Sequence, residues 1–179
     1  GGLGFIGSHT VVELQKEGFD VVIIDDLSNT RIEVLEGIEG ITGIQAEYVN
    51  LDLKNKAQVQ AFFDQHKIEG VIHFAASKAV GESVEQPLKY YENNISSLLY
   101  LLDSMNEHKV TNIIFSSSCT VYGQADELPI TENAPIKLAE SPYGNTKQIG
   151  EEVLKDVTKA SELNAVALRY FNPIGAHNS

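Results

Sequence analysis

The chain opens Gly1-Gly2-Leu3-Gly4-Phe5-Ile6-Gly7 and runs directly into Ser8-His9-Thr10-Val11-Val12-Glu13-Leu14, which reads as the start of an amphipathic helix. Glycines at 1, 4 and 7 let the turn take φ > 0 and let backbone N–H groups approach a ligand. A helix N-terminus behind such a turn offers unpaired N–H groups to an anion such as a pyrophosphate. A strand follows, Asp20-Val21-Val22-Ile23-Ile24, ending in Asp25-Asp26, which places Asp25 18 residues past Gly7. That is about where an acid accepts hydrogen bonds from an adenosine ribose. A glycine-rich turn alone is equally compatible with a tight turn that holds nothing. Turn, helix, strand and acid in register restrict the chain to an α/β fold of the nucleotide-binding kind.

The rest of the chain keeps the alternation. A helix over 8–17 and a strand over 20–24 lead to a polar, Gly-rich stretch, 28–44, that reads as loop or short helix. Tyr48-Val49 is a short strand leading to Asp52, and Lys54 to His66 is a helix carrying Ala57, Val59, Ala61, Phe62 and Phe63. Gly70 to Phe74 is an apolar run of strand length. Pro87 to His108 reads as one long helix, with Pro in its first turn and Ile95, Leu98, Leu99, Leu102 and Met105 at helical spacing. Asn112 to Phe115 is a buried strand, 124–141 a long loop, Tyr143 to Ser161 a helix and Val166 to Arg169 a last strand. Strand and helix alternating on this scale predict a doubly wound parallel sheet. Ligands of such sheets bind beyond the carboxyl ends of the strands, where the sequence places Gly1 to Gly7, Asp25, Asp52, Phe74 to Lys78, Ser116 to Ser118 and Phe171.

The second chemical signal is Ser141-Pro142-Tyr143-Gly144-Asn145-Thr146-Lys147, with the serine run Ser116 to Ser118 upstream. Tyr143 and Lys147, four apart on a helix, share a face. An unperturbed tyrosine titrates near ~10, and a neighbouring ammonium would favour its phenolate and lower that value. Ser118 would supply a hydroxyl able to bridge a substrate and Tyr143. Such a set suits removal of a proton from an alcohol while another group takes the hydride. Read singly, Tyr143 and Lys147 could be surface residues, and Ser118 could simply close a strand-end turn. His73, inside an apolar strand, reads as a core residue. His9, His66, His108 and His177 show no metal-ligand spacing, so no metal site is expected.

These features, together with Asp25 to Asn29, His73 to Ser83, Tyr90 to Asn94, Phe115 to Gly123 and Arg169 to His177, resemble the extended short-chain dehydrogenase/reductase family. The segments run nearly end to end, and the likeness is strongest to the family's sugar-nucleotide epimerases. The resemblance implies a Rossmann-type fold and a tightly bound NAD, which Asp25 would favour over NADP by repelling a 2′-phosphate. It implies interconversion of UDP-glucose and UDP-galactose by transient oxidation at sugar C4. Tyr143 would be the base, with Lys147 and Ser118 beside it. Cofactor contacts would come from Gly1, Gly4, Phe5, Ile6, Gly7, Asp25, Asn29, Thr30, Asp52, Leu53, Phe74, Ala75, Ala76, Lys78, Asn93, Ser118, Tyr143, Lys147 and Phe171. Substrate contacts would come from Ser118, Tyr143 and Asn172. A related 4,6-dehydratase would need an acid pair where this chain has Ser118-Cys119-Thr120. A non-catalytic NAD-binding fragment is the other alternative.

Family chains begin with a hydrophobic strand before the first glycine and continue past the Asn172-Pro173 segment into a smaller substrate domain. The expectation is therefore an N-terminal fragment, 1–179, holding a partial NAD-binding domain without its first strand and with no second domain. Composition sets the remaining bounds. Net charge is −12, from 13 Lys and Arg against 25 Asp and Glu, which argues against nucleic acid as a partner. No run approaches the ~20 apolar residues of a membrane span. The one cysteine, Cys119, reads as a packing residue and fits a reducing, cytoplasmic setting. A homodimer is expected by resemblance, through the helix beginning near Pro87 and the helix carrying Tyr143.

Overall fold

Helix α1 (Phe5–Lys16) begins directly on the glycine turn, with Gly4 at its N-cap in an extended conformation. The structure, a computed structural model, describes residues 1–177. It divides into two units: Gly1–Asp52 with the segment from Ile174, and Leu53–Pro173. In the first unit α1 is followed by β1 (Val22–Asp25), α2 (Val34–Thr42) and β2 (Glu47–Asn50). The two strands pair in parallel, in register from Val22 with Glu47 to Asp25 with Asn50. Leu3, Val11, Val12, Ile23 and Ile38 form the buried core. Within the stretch expected as loop or short helix, α2 is a short helix. It stops at Gly43, where φ is 70° and the N–H bonds the Glu39 carbonyl at 2.7 Å.

The second unit opens with α3 (Lys56–Gln65), capped by the Asn55 side chain, which accepts the Gln58 N–H at 3.2 Å. Its Val59, Phe62 and Phe63 are buried, as the apolar pattern predicts. Three parallel strands, β3 (Val71–His73), β4 (Asn112–Ser118) and β5 (Asn164–Tyr170), form a sheet in the order β3-β4-β5. The parallel α/β architecture thus matches the expectation, with its strands paired as two separate sheets. β4 runs to Ser118, three residues beyond the expected Phe115, and carries the serine run at its carboxyl end.

The segment between β3 and β4 departs most from the sequence reading. A six-residue helix, α4 (Val80–Glu85), precedes α5 (Pro87–Tyr91), a π-helical turn spans Glu92–Ser96, and α6 (Ser97–Glu107) completes the run. A π turn inserts extra backbone and rotates the face that follows it. Beyond it Leu98, Leu101, Leu102 and Met105 are buried, whereas Leu99, expected on the apolar face, is 44% exposed. Among the described residues no helix is long and apolar enough to cross a membrane.

Helix α7 (Pro142–Ala160) starts on Ser141, whose hydroxyl accepts the Gly144 N–H at 3.1 Å, with Pro142 in the first turn. It lies close on β4 because Gly150 has no side chain: a Cβ there would sit 2.7 Å from Cζ of Phe115 and 3.4 Å from Leu98. Phe115 is itself buried and has little room to move. Alanine favours a helix over glycine by about 1 kcal/mol. Gly150→Ala should nevertheless destabilise the protein by about 1–3 kcal/mol, the usual cost of overpacking a core. Chemical denaturation of the full-length protein checks this; a midpoint at or above the wild type would show that α7 does not bear on Phe115.

Candidate active site

In the first unit the glycine turn closes on itself. The Gly4 N–H bonds the Gly1 carbonyl at 3.3 Å, and a Cβ at Gly7 would meet that carbonyl oxygen at 2.4 Å. Only glycine fits at 7. No side chain caps α1, and no acid stands in its first turn. The leading N–H groups of a helix have no intrahelical partner, so those of Phe5, Ile6 and Gly7 face whatever lies beyond the turn. An uncapped, acid-free N-terminus behind a glycine turn is suited to a phosphate.

Asp25, at the end of β1, is buried. Oδ2 accepts the Leu3 N–H at 3.1 Å; Oδ1 accepts the Leu27 N–H at 3.1 Å and the Thr30 hydroxyl at 2.6 Å. Burial pushes its pKa up, but the Thr30 hydroxyl, the nearby Gly1 amino group and the two backbone donors together hold it below the ordinary value. Asp25 therefore fastens the glycine turn and the β1–α2 loop together, with lone-pair capacity left for a further donor. Thr30 is half-buried against it, Asn29 is exposed, and Asp52 is half-buried at the end of this unit.

In the second unit Tyr143, Lys147 and Ser118 come together. Lys147 is 4% exposed; its Nζ donates to the Ser116 carbonyl at 2.7 Å and lies 4.9 Å from the Phe115 ring centre and 5.9 Å from that of Tyr143. Burial pushes the ammonium down to about 8. Tyr143 is half-buried and its phenol is hydrogen-bonded with Ser118. The expectation that Lys147 lowers the Tyr143 pKa is corrected: the phenol stands above its ordinary value. Burial is the largest cause, and the Ser118 hydrogen bond opposes it. The Lys147 ammonium is aimed at Ser116, which explains why it does not dominate the phenol. Ser118 also does what its alternative reading proposed, accepting the Thr120 N–H at 3.2 Å to start a 3-10 turn, Cys119–Tyr122. Thr120 Oγ1 is buried without a hydrogen-bond partner among the described residues. His73, stacked on Phe115 with ring centres 6.0 Å apart, is a neutral core residue, pushed down to about 3 by burial and then by Lys147.

The stretch after β3 brings the next candidates. Leu53 is buried, Phe74, Ala75 and Ala76 are half-buried, and Lys78 is exposed. Asn93 donates to Asn94 at 3.1 Å, and Asn94 is the residue the sequence reading missed as an individual. Its buried amide accepts the Ser77 N–H at 2.8 Å and donates to the Ser77 carbonyl at 2.9 Å and to Thr146 Oγ1 at 3.0 Å. A polar residue in the π turn thus joins the strand-end loop to the helix of Tyr143 and Lys147. The sequence reading also missed the Glu151–Arg169 pair. Arg169 engages both carboxylate oxygens, at 2.9 and 2.7 Å, and donates to the Tyr122 hydroxyl at 3.0 Å, while Ser117 donates to Glu151 at 2.5 Å. Phe171 and Asn172, just beyond Arg169, are exposed.

A family model described as the NAD dependent epimerase/dehydratase family matches residues 1–179. The chain is 48% identical over 180 residues to a UDP-glucose 4-epimerase of Dictyostelium discoideum, covering 100% of this chain and 52% of that protein. It is 47% identical to one of Bacillus subtilis (strain 168), covering 53% of it. Among solved structures it is similar to UDP-glucose 4-epimerase from Bifidobacterium longum in complex with NAD+ and UDP. That likeness has a TM-score of 0.96 at 47% identity, over 98% of this chain and 53% of that one. The UDP-Glc/GlcNAc 4-epimerase of Campylobacter jejuni gives 0.90 at 34% identity, over 96% of this chain and 51% of that one. The chain spans about half the length of the curated relatives it matches.

The Ser118 hydrogen bond is the cause that lowers the Tyr143 pKa. Ser118→Ala should therefore move ionisation of the phenol to higher pH. Ultraviolet titration of the variant, with Tyr143→Phe as the blank, reads the shift; an unchanged midpoint would show that Ser118 does not engage the phenol.

Proposed function

The chain belongs to the NAD dependent epimerase/dehydratase family, and from that we propose that the protein it forms part of interconverts UDP-glucose and UDP-galactose with a tightly bound NAD. The observation that carries this reading is the half-buried Tyr143 phenol, bonded with Ser118 and sharing a helix face with a buried lysine. The UDP-glucose 4-epimerases of Dictyostelium discoideum and Bacillus subtilis, which share nearly half of its residues, support the substrate pair. Residues 1–179 would be the NAD-binding part, the remainder of the protein completing the sugar-nucleotide site.

The residues present fit NAD. The uncapped turn of Gly1, Gly4, Phe5, Ile6 and Gly7 suits its pyrophosphate, and a Cβ at Gly7 would close it. Asp25, Asn29, Thr30 and Asp52 would serve the adenosine side, where the buried, ionised Asp25 favours a free 2′-hydroxyl over a phosphate. Leu53, Phe74, Ala75, Ala76, Lys78, Asn93 and Phe171 complete the proposed contacts, with Ser118, Tyr143 and Lys147 at the nicotinamide end. Bound NAD supplies a reversible hydride acceptor for sugar C4.

The protein's own residues handle the proton. Tyr143, as phenolate, takes it from the sugar 4-hydroxyl and returns it to the keto oxygen once the sugar has turned its opposite face toward the cofactor. Ser118 bridges sugar oxygen and phenol, and Asn172 and the unpartnered Thr120 hydroxyl offer the sugar nucleotide further polar contacts. Lys147, positively charged at neutral pH, favours the phenolate once a substrate hydroxyl shares the site. The absence of a carboxylate in Ser118-Cys119-Thr120 favours epimerisation over water elimination. A cytoplasmic homodimer belongs to the same reading. It is supported by the single cysteine and by the exposed Leu88 and Leu99 of the 87–108 segment.

The full-length protein should convert UDP-galactose to UDP-glucose and retain NAD through gel filtration. Tyr143→Phe should keep NAD and lose about 10²- to 10⁴-fold in kcat, the range for a general acid–base group. NAD retained by a wild type that does not interconvert the two sugars would overturn the proposal.

A further inference from the structure

Lys78 combines a free-standing cation with an unusually fixed backbone. Its side chain is exposed, while the peptide groups on both sides are held from below. Ser77 is gripped through both N–H and C=O by Asn94. Ala79 gives its N–H to the Tyr90 hydroxyl at 3.0 Å. Tyr90, on α5, is completely buried, and its phenol spends its own proton on Glu82 Oε2 at 2.7 Å. Glu82 is in turn held by Lys89 at 2.6 Å through its other oxygen. A carboxylate can only accept and a backbone N–H can only donate, so the chain has one direction, from Ala79 through Tyr90 to Glu82. Burial, then Glu82, pushes the Tyr90 phenol up to about 12, and the proton this direction requires stays in place.

A tyrosine buried for packing alone would need a single partner for its hydroxyl. Tyr90 has two, and one is the amide adjoining the only lysine of the strand-end loop. Lysine has a long, flexible side chain with much rotamer freedom to lose, so a cation that must meet a ligand gains from a backbone fixed beforehand. The helix after Lys78 has just six residues and could not fix that backbone alone.

We propose that Tyr90 is a positioning residue for Lys78: its phenol, oriented by Glu82, fixes the Ala79 amide so that the Lys78 ammonium is presented to the bound dinucleotide. The proposal rests on the reading that NAD is the cofactor and that Lys78 touches it.

A double-mutant cycle on the full-length protein tests it, with NAD+ as the probe and the dissociation constant and release rate as readouts. Tyr90→Phe removes only the hydroxyl and should weaken NAD binding about fivefold, the worth of one lost hydrogen bond. Lys78→Ala should weaken it more, and adding Tyr90→Phe to Lys78→Ala should have no further effect, because residues acting through one another are not additive. Glu82→Ala, at a partly exposed position, should behave like a milder Tyr90→Phe and covers the case in which the tyrosine variant fails to fold. Additive losses from Tyr90→Phe and Lys78→Ala, with the milder variant also additive, would overturn the proposal. Unchanged NAD binding in Lys78→Ala would instead overturn the reading of Lys78 on which the proposal depends.

Discussion

Burial of one ammonium organises everything chemical in Leu53–Pro173. Lys147 is 4% exposed, and an isolated charge so placed would cost several kcal/mol. One carbonyl, that of Ser116, and the faces of Phe115 and Tyr143 are what the unit sets against that cost. The compensation is partial, which is why the ammonium sits near 8 and not at its ordinary value. It also dictates geometry. The carbonyl must lie at the end of β4, the ring must lie under the helix, and α7 must approach closely enough for the stem to reach both. Gly150 is the residue that allows that approach.

Tyr143 feels the same burial with the opposite sign. Removing water disfavours a phenolate as it disfavours an ammonium, so the phenol rises while the lysine falls, and both move toward their neutral forms. The two values therefore move apart, and the phenolate needs help from other groups: a hydroxyl donating to the phenol oxygen, or a further positive charge, favours it. Ser118 already provides the first of these. Lys147 stands behind the ring, bonded to the Ser116 carbonyl and not to the phenol.

The sequence made legible what depends on local spacing. Glycines at 1, 4 and 7 announce the turn, Asp25 follows its strand, and the four-residue step from Tyr143 to Lys147 puts both on one face of a helix that Ser141 and Pro142 start. The direction of the Tyr143 shift was not legible, because it depends on how deeply the ring is buried and on where the lysine points. The break of the 87–108 helix was not legible either. A π turn has no residue signature, and of the apolar positions at helical spacing only Ile95 falls within it, Leu98, Leu99, Leu102 and Met105 all lying beyond. Asn94 escaped notice for a related reason. Its role comes from partners 17 and 52 residues away, and nothing in its neighbourhood marks it apart from Asn93.

Arg169 shows how far such long-range contacts reach. In the sequence it is the polar end of an apolar strand. In the fold its guanidinium forks onto Glu151, one helical turn beyond Lys147, and also meets Tyr122, which closes the 3-10 turn begun by Ser118. Ser117 joins the same carboxylate from β4. A bidentate, partly buried pair resists displacement far better than an exposed one, because releasing either partner leaves a charge without water or counter-ion. The three backbone segments that carry Ser118, the Tyr143–Lys147 face and the Phe171-Asn172 tip are therefore registered by a single carboxylate. A serine, a tyrosine and a lysine make an acid–base site only if their relative positions hold to a fraction of an ångström. In this unit Glu151 and Arg169 hold those positions without bonding to Ser118, Tyr143 or Lys147 themselves.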